Sequence, residues 1–224
     1  MSKRYFLGVY WGSRVEPVEV LSDRVHAFLQ ATVALHPLFE MWHELGRVDP
    51  GSRGVCLESR ESIAQILGLG FNRRDSDGAR LSELGYSINL WNGASDDQSA
   101  AALRIDCGSS LPTANGITLD LPKAPHFLGD EEVGIELLKL SAEVWAPDWA
   151  GVISKSSLRA RGFSGNKPFV DWMLYVPRAL TISETHVRSI SLEELGTIVV
   201  ISPRPDIGDV PDGRVKLVED ALSN

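Results

Sequence analysis

The feature that most constrains the fold is a run of three consecutive segments in which apolar and polar residues alternate. The segments are residues 85–91 (GYSINLW), 100–107 (AAALRIDC) and 115–121 (NGITLDL). A period of two residues is typical of a β-strand that buries one face. The links between the segments are short and rich in Gly, Ser, Asn and Asp, which favour chain reversal. The pattern therefore predicts an antiparallel meander of three strands.

The remaining segments predict a mixture of helices and further strands around that meander. Apolar residues at helical spacing predict helices at residues 17–35, 58–69, 131–144 and 211–222, and a helical turn or two within 38–45. Short apolar runs predict strands at residues 5–10, 149–153, 171–176 and 197–201. Because no linker divides the chain, we expect an α+β fold in a single domain of residues 1–224, mainly antiparallel sheet with packed helices.

The charge balance and the two cysteines narrow the class of protein. The net charge is −8, from 30 acidic and 22 basic residues. Such acidity disfavours direct contact with nucleic acid or an anionic membrane. No apolar run is long enough to span a bilayer, and the first residues lack the core of a signal peptide, so we expect a cytoplasmic protein. Cys56 and Cys107 lie in apolar segments, which favours buried free thiols in a reducing compartment.

A catalytic or metal-binding pattern is absent from the sequence. The five histidines form no metal-ligand spacing with one another or with the cysteines. The chain has neither a glycine-rich phosphate loop between a strand and a helix nor a Gly-x-Ser-x-Gly elbow. A basic cluster at residues 72–75 (NRRD) with Arg80 could bind phosphate, but nearby acids favour ion pairing. We therefore predict no catalytic residue, no metal and no cofactor.

Two acidic groups are the candidate binding residues. Asp96 and Asp97 follow the first strand of the meander, and Asp130, Glu131 and Glu132 open a predicted helix. Each residue alone is explained by solubility, turn formation or the helix dipole. Together they would form an acidic face that speeds the approach of a basic partner. Charge reversal of either group is predicted to slow association at low salt and to leave the fold intact.

Four tryptophans lie beside turn residues at predicted strand or helix ends. They are Trp11, Trp91, Trp145 and Trp149. Large aromatic side chains at such positions favour a structural role, and we expect most of the four to close strand ends over the core. Truncation of Trp91 is accordingly predicted to lower the melting temperature sharply.

Five sequence segments, in order along the chain, resemble the immunity protein 52 family of bacterial polymorphic toxin systems. They are residues 7–16 (LGVYWGSRVE), 72–75 (NRRD), 84–93 (LGYSINLWNG), 144–149 (VWAPDW) and 196–203 (GTIVVISP). Residues 156–167 have no counterpart and are expected to form a variable loop.

The resemblance implies an inhibitor encoded beside a toxin with a restriction-endonuclease-like nuclease domain. Such toxins are delivered by type VI or other contact-dependent secretion, and the immunity protein binds them in the cytoplasm without catalysis. The resemblance assigns no interface residue. Two other interpretations stay open, namely a small soluble enzyme with a cryptic active site and an effector-loading adaptor or chaperone. A toxin gene immediately upstream would favour the inhibitor.

Overall fold

A computed structural model describes residues 4–45, 59–123, 131–163, 167–182, 184–202 and 210–223. These residues form nine strands and five α-helices. The strands are β1 (Tyr5–Trp11), β2 (His43–Glu44), β3 (Tyr86–Trp91), β4 (Ala102–Cys107), β5 (Asn115–Asp120), β6 (Trp149–Ser154), β7 (Met173–Val176), β8 (Arg188–Ser191) and β9 (Thr197–Val200). The helices are α1 (Val18–Leu35), α2 (Arg60–Leu69), α3 (Glu131–Trp145), α4 (Lys155–Arg161) and α5 (Asp212–Ser223).

All nine strands belong to one antiparallel sheet. Their order is β2-β3-β4-β5-β1-β6-β7-β9-β8. The predicted meander is confirmed, because β3, β4 and β5 are neighbours in sequence order. The predicted α+β class is confirmed as well. Because neighbouring strands run in opposite directions, β1 begins at one end of the sheet, the upper end, and finishes at Trp11 at the other, the lower end.

The two faces of the sheet are covered to different extents. Helices α1, α2 and α3 cover the first face and build the main core with inward residues such as Leu7, Ile105 and Leu119. Helix α5 covers the second face beside β6, β7 and β9, where Leu174 and Val199 are buried. Beside β3 and β4, no described helix lies on the second face. Apart from the half-buried Trp91, the outward residues there are polar or small, and Asn89, Ala102 and Arg104 are exposed.

Three segments differ from the sequence prediction. The predicted helical turns in residues 38–45 are instead a single 3₁₀ turn, Pro37–Phe39, followed by β2, which pairs with β3. The segment expected to be a variable loop contains α4, which begins where the Ser154 hydroxyl accepts a hydrogen bond from the Ser157 amide at 3.0 Å. Strand β8 was not predicted, because four residues of mixed character carry too weak a pattern.

Candidate functional site

Three of the tryptophans lie at the lower end of the sheet and are buried. The ring of Trp11 stacks on that of Trp145 with centroids 5.1 Å apart. Trp149 is 2% exposed and stacks on Tyr10 at 4.5 Å. The burial confirms the predicted structural role of these three residues. The family-like segments at residues 7–16 and 144–149 therefore meet in the core rather than at an exposed site.

Side-chain hydrogen bonds fix the backbone at this end. The Asn115 amide group donates to the carbonyl oxygens of Gly12 at 2.8 Å and Ser109 at 2.9 Å, and its oxygen accepts from the Ser109 amide at 2.9 Å. The Gly12 amide donates to an Asp148 carboxylate oxygen at 2.9 Å. Because Asn115 is only 2% exposed, its bonds are shielded from water, and the arrangement serves as a scaffold.

A small charged cluster packs against the same tryptophans. The Arg14 guanidinium lies 5.0 Å from the centroid of the Trp11 ring, within the range of a cation–π contact. The Glu16 carboxylate pairs with Arg14 at 3.4 Å and with Arg24 at 3.0 Å. Burial lowers the pKa of Arg14, and the neighbouring Glu16 carboxylate acts in the opposite direction. The cluster links the N-terminal segment of α1 to the core.

The cysteine at the end of β4 has no features of a nucleophile. Cys107 is a free thiol that is fully buried, and burial raises its pKa to about 12. A thiol of that pKa is protonated near neutral pH and reacts poorly. Cys56 lies outside the described residues. Within the described ranges, no three His, Cys, Asp or Glu side chains are placed to share a metal ion.

The basic cluster at residues 72–75 has the structural role that was favoured. Arg74 pairs with Asp77 at 3.3 Å, and Arg73 donates to the Gly78 carbonyl at 3.2 Å. The Arg80 guanidinium lies 4.9 Å from the centroid of the Phe71 ring. These contacts occupy the cations within their own loop.

Asp96 and Asp97 lie near the upper end of the sheet, where other groups of the chain already bind their carboxylates. The Asp96 carboxylate accepts hydrogen bonds from the Ser99 and Gln98 amides at 2.9 Å each, which lowers its pKa. The Asp97 carboxylate pairs with Lys123 and, at 3.0 Å, with Arg4; the bond from Lys123 is the main cause of its lowered pKa. Asp96 is thus held by amides of its own loop, and the charge of Asp97 is partly neutralised by cations that precede β1 and follow β5.

A groove of about 190 Å³ lies beside Asp97 and includes Trp91 in its lining. Trp91 is half-buried, unlike the other three tryptophans in its group. It follows Leu90 in β3 and therefore points to the second face, away from the main core. The expectation that most of the four tryptophans close strand ends over the core therefore holds for the other three, and Trp91 is the exception.

Glu131 and Glu132 lie about four strands away from Asp97 across the sheet. Glu131 pairs with Arg188 at the start of β8, whereas Asp97 pairs beside β1 and β5. At about 4.8 Å per strand, β1 and β8 are roughly 19 Å apart. Asp130 lies outside the described residues. The structure therefore places the described candidates in two regions rather than one.

A larger groove lies next to Glu132, between α3 and the outermost strand β8. Its volume is about 530 Å³. Its lining includes acidic residues that the sequence analysis did not select, namely Glu136, Glu143 and Glu193. The sequence does indicate one acidic wall of this groove, because Glu132, Glu136 and Glu143 are spaced by four and seven residues and share one helix face. Glu193 could not be found this way, since it joins the groove only through the fold.

None of the helices in the described part of the chain is both long enough and apolar enough to span a membrane.

Comparison with known proteins identifies a family and a related fold. The family model described as immunity protein 52 matches residues 3–208. A solved structure described as "Pseudomonas aeruginosa T6SS protein PA0821" superimposes with a TM-score of 0.56 and 12% sequence identity, covering 99% of this chain and 72% of that chain. No curated protein matches. At 12% identity the structural similarity supports the fold alone, whereas the family match covers most of the chain.

Proposed function

The chain belongs to the immunity protein 52 family, and from that premise we propose that it neutralises a cognate effector toxin by binding it. The toxin is a nuclease delivered by type VI or another contact-dependent secretion system, and binding takes place in the cytoplasm without a chemical step. The family match over residues 3–208 carries the proposal. The fold shared with a protein described as a T6SS protein agrees with the secretion route.

The charge of the chain suits this role. A nuclease presents a basic surface to the phosphate backbone, and a protein of net charge −8 is drawn towards such a surface. Long-range attraction of this kind raises the association rate, which matters when a toxin must be captured before it reaches DNA. Tight binding then depends on close contacts at the interface, where a few buried apolar or aromatic side chains carry most of the free energy.

Titration of nuclease activity tests the proposal. The effector encoded beside this gene is purified, and its cleavage of plasmid DNA is measured as this protein is added. We expect cleavage to stop at one molar equivalent, since inhibition is stoichiometric. Time-dependent inactivation by a small fraction of an equivalent would instead indicate an enzyme.

A binding measurement on the same two proteins distinguishes an inhibitor from an adaptor or loading chaperone. Isothermal titration of the effector with this protein is expected to give a tight complex with the same stoichiometry. A complex that leaves DNA cleavage unchanged would indicate an adaptor or loading chaperone. If the two proteins do not bind, the proposed function is wrong.

A further inference from the structure

The groove between α3 and β8 combines an apolar floor with a charged rim. Its floor is formed by Ile135 from α3 and by Ile190, Leu192 and Leu195 from β8 and the turn that follows. Leu195 is 38% exposed and Ile190 and Leu192 are partly buried, so the floor is accessible from solvent. Because the groove lies at the edge of the sheet, no element among the described residues covers its apolar floor.

The rim of the groove carries excess negative charge. Four carboxylates line it, against the two cations Lys139 and Arg188. They belong to Glu132, Glu136, Glu143 and Glu193. The cations are already paired, Lys139 with Glu136 at 3.7 Å and Arg188 with Glu131. Glu143 and Glu193 have no ion pair with another described residue, so their charges are available to a partner.

The turn that forms one wall of the groove is held in a defined shape. The Leu192 amide donates to the Gly196 carbonyl at 2.9 Å, and the Tyr175 hydroxyl donates to the Leu195 carbonyl at 2.6 Å. Glu193 has a φ of 51°, a conformation that non-glycine residues seldom adopt. A long acidic side chain is thus placed on the rim at a position where glycine or asparagine would be the less strained choice.

We propose that this groove is the docking site for the toxin and that its occupant is a basic segment of that protein, with an apolar side chain flanked by Lys or Arg. The inference rests on the proposed function. The apolar side chain covers the floor, and the flanking cations meet the unpaired carboxylates of Glu143 and Glu193. Charge complementarity selects a basic partner, and the apolar floor supplies contacts that a purely electrostatic encounter lacks.

The smaller groove beside Trp91 is a weaker match to such a partner. Its charged lining residues are Arg4, Lys123 and Lys155 against Asp97 and Asp120. Each of these carboxylates is paired with a cation inside the groove, Asp120 with Lys155 at 2.6 Å and Asp97 with Arg4 and Lys123. A basic segment would have to displace these pairs, whereas the α3–β8 groove offers unpaired acids.

Paired charge reversals test the docking site. Glu136→Lys with Glu143→Lys changes the groove, and Glu40→Lys with Glu83→Lys changes the net charge equally at exposed positions elsewhere. Association with the purified effector is measured against salt concentration for both variants and for the wild type. We expect the groove variant to associate at least tenfold more slowly at low salt with a flatter salt dependence. The control variant should stay within about threefold, because charges remote from the interface act weakly.

The floor is tested separately through Leu195→Ser, which changes an exposed side chain and leaves the charges in place. We expect about tenfold faster dissociation of the complex with the association rate unchanged, since apolar contacts act after the encounter. Urea unfolding of each variant verifies the fold. If both groove variants bind like the wild type, the docking site is wrong and the proposed function stands. If the wild type itself does not bind the effector, both fail.

Sedimentation of the free protein at the assay concentration tests the other possible occupant. We expect a monomer. A dimer that the groove variants dissociate would show that a second copy of this chain covers the floor, which would overturn the assignment to the toxin.

Discussion

The lower end of the sheet and the groove along the β8 edge differ in burial and in how their polar groups are paired. At the lower end, Trp11 and Trp145 are buried and stacked on each other, and the buried Asn115 amide is hydrogen-bonded to the backbone. Along the edge, Glu143 and Glu193 are exposed and have no ion pair with a described residue. The five segments that resemble the family include none of the groove residues. The segments on which the family resemblance rests therefore belong to the scaffold. The surface proposed to bind the toxin lies outside these segments.

The largest expected effect tests the scaffold end. Trp145→Ala removes a fully buried ring that stacks on Trp11 and meets the Phe28 ring edge-on, with ring centroids 6.2 Å apart. We expect a loss of about 3–5 kcal/mol in the free energy of unfolding, measured by urea denaturation. Trp91→Ala is the matched control and should cost about 1 kcal/mol or less, because half-buried rings lose less contact on truncation. Equal losses for the two variants would contradict the difference in burial.

The next effect concerns the buried amide of the lower end. Asn115→Ala removes three hydrogen bonds and leaves the Gly12 and Ser109 backbone groups without that partner. We expect a loss of about 2–3 kcal/mol in unfolding free energy, since buried polar groups left unsatisfied are costly. Asn89→Ala, on the exposed second face, should stay within about 0.5 kcal/mol. A small effect at Asn115 would show that water replaces the amide.

The buried thiol gives the scaffold a dependence on alkaline pH. Its pKa is raised to about 12 in the folded protein and is about 8.5 in an unfolded chain, so the unfolded state releases a proton first as pH rises. The stability present below pH 8.5 is then lost progressively up to about pH 12. We expect a decrease of about 2 kcal/mol between pH 8.5 and pH 10.5, measured by urea unfolding.

The control for this dependence is Cys107→Ala, which removes the titrating group. That variant should be less stable at pH 7 but should show a smaller decrease across the same pH interval. Tyr10, whose pKa burial raises to about 12, contributes above pH 10 in both proteins. An unchanged slope in the variant would assign the dependence to the tyrosines.

Charge reversal at the acids selected from the sequence is expected to have the smallest effect on stability. Its effect on the rate of toxin association allows the two pairs of acids to be compared. Reversal of Glu131 and Glu132 to Lys should slow toxin association at low salt more than reversal of Asp96 and Asp97. The first pair borders the α3–β8 groove, whereas Asp97 is already paired with Arg4 and Lys123. Stopped-flow association at several salt concentrations measures both. A larger effect at Asp96 and Asp97 would favour the groove beside Trp91.

The sequence predicted those parts of the fold that carry a long periodic pattern. The meander and the four long helices were predicted because their apolar spacing extends over six residues or more. Strand β2 has only two residues, and β8 has four residues of mixed polarity, so neither carries a recognisable pattern. Strands β7 and β9 are equally short but form buried, mainly apolar runs, which is why they were predicted. The orientation of Trp91 was accessible in principle, since strict alternation from Leu90 places it on the opposite face.

The proposed docking groove could not be predicted in the same way. Its walls come from α3 and from residues 188–195, which are some fifty positions apart and meet only because β9 places β8 beyond β7. The acid spacing on α3 indicates a charged helix face, which is ordinary on a solvated surface. Only the tertiary arrangement turns that face into the rim of an apolar groove.

The central position of β1 has a consequence for how the protein is made. Its partners are distant in sequence, since Phe6 pairs with Asp120 in β5 and Tyr5 pairs with Ser154 in β6. On the ribosome β1 therefore emerges more than a hundred residues before either neighbour. It has no strand partner until β5 has been synthesised, and its second edge stays open until β6 follows. Non-local pairing of this kind slows folding, and an unpaired apolar strand is open to aggregation. Protection from the toxin would then lag translation by the time needed to close the two halves of the sheet around β1.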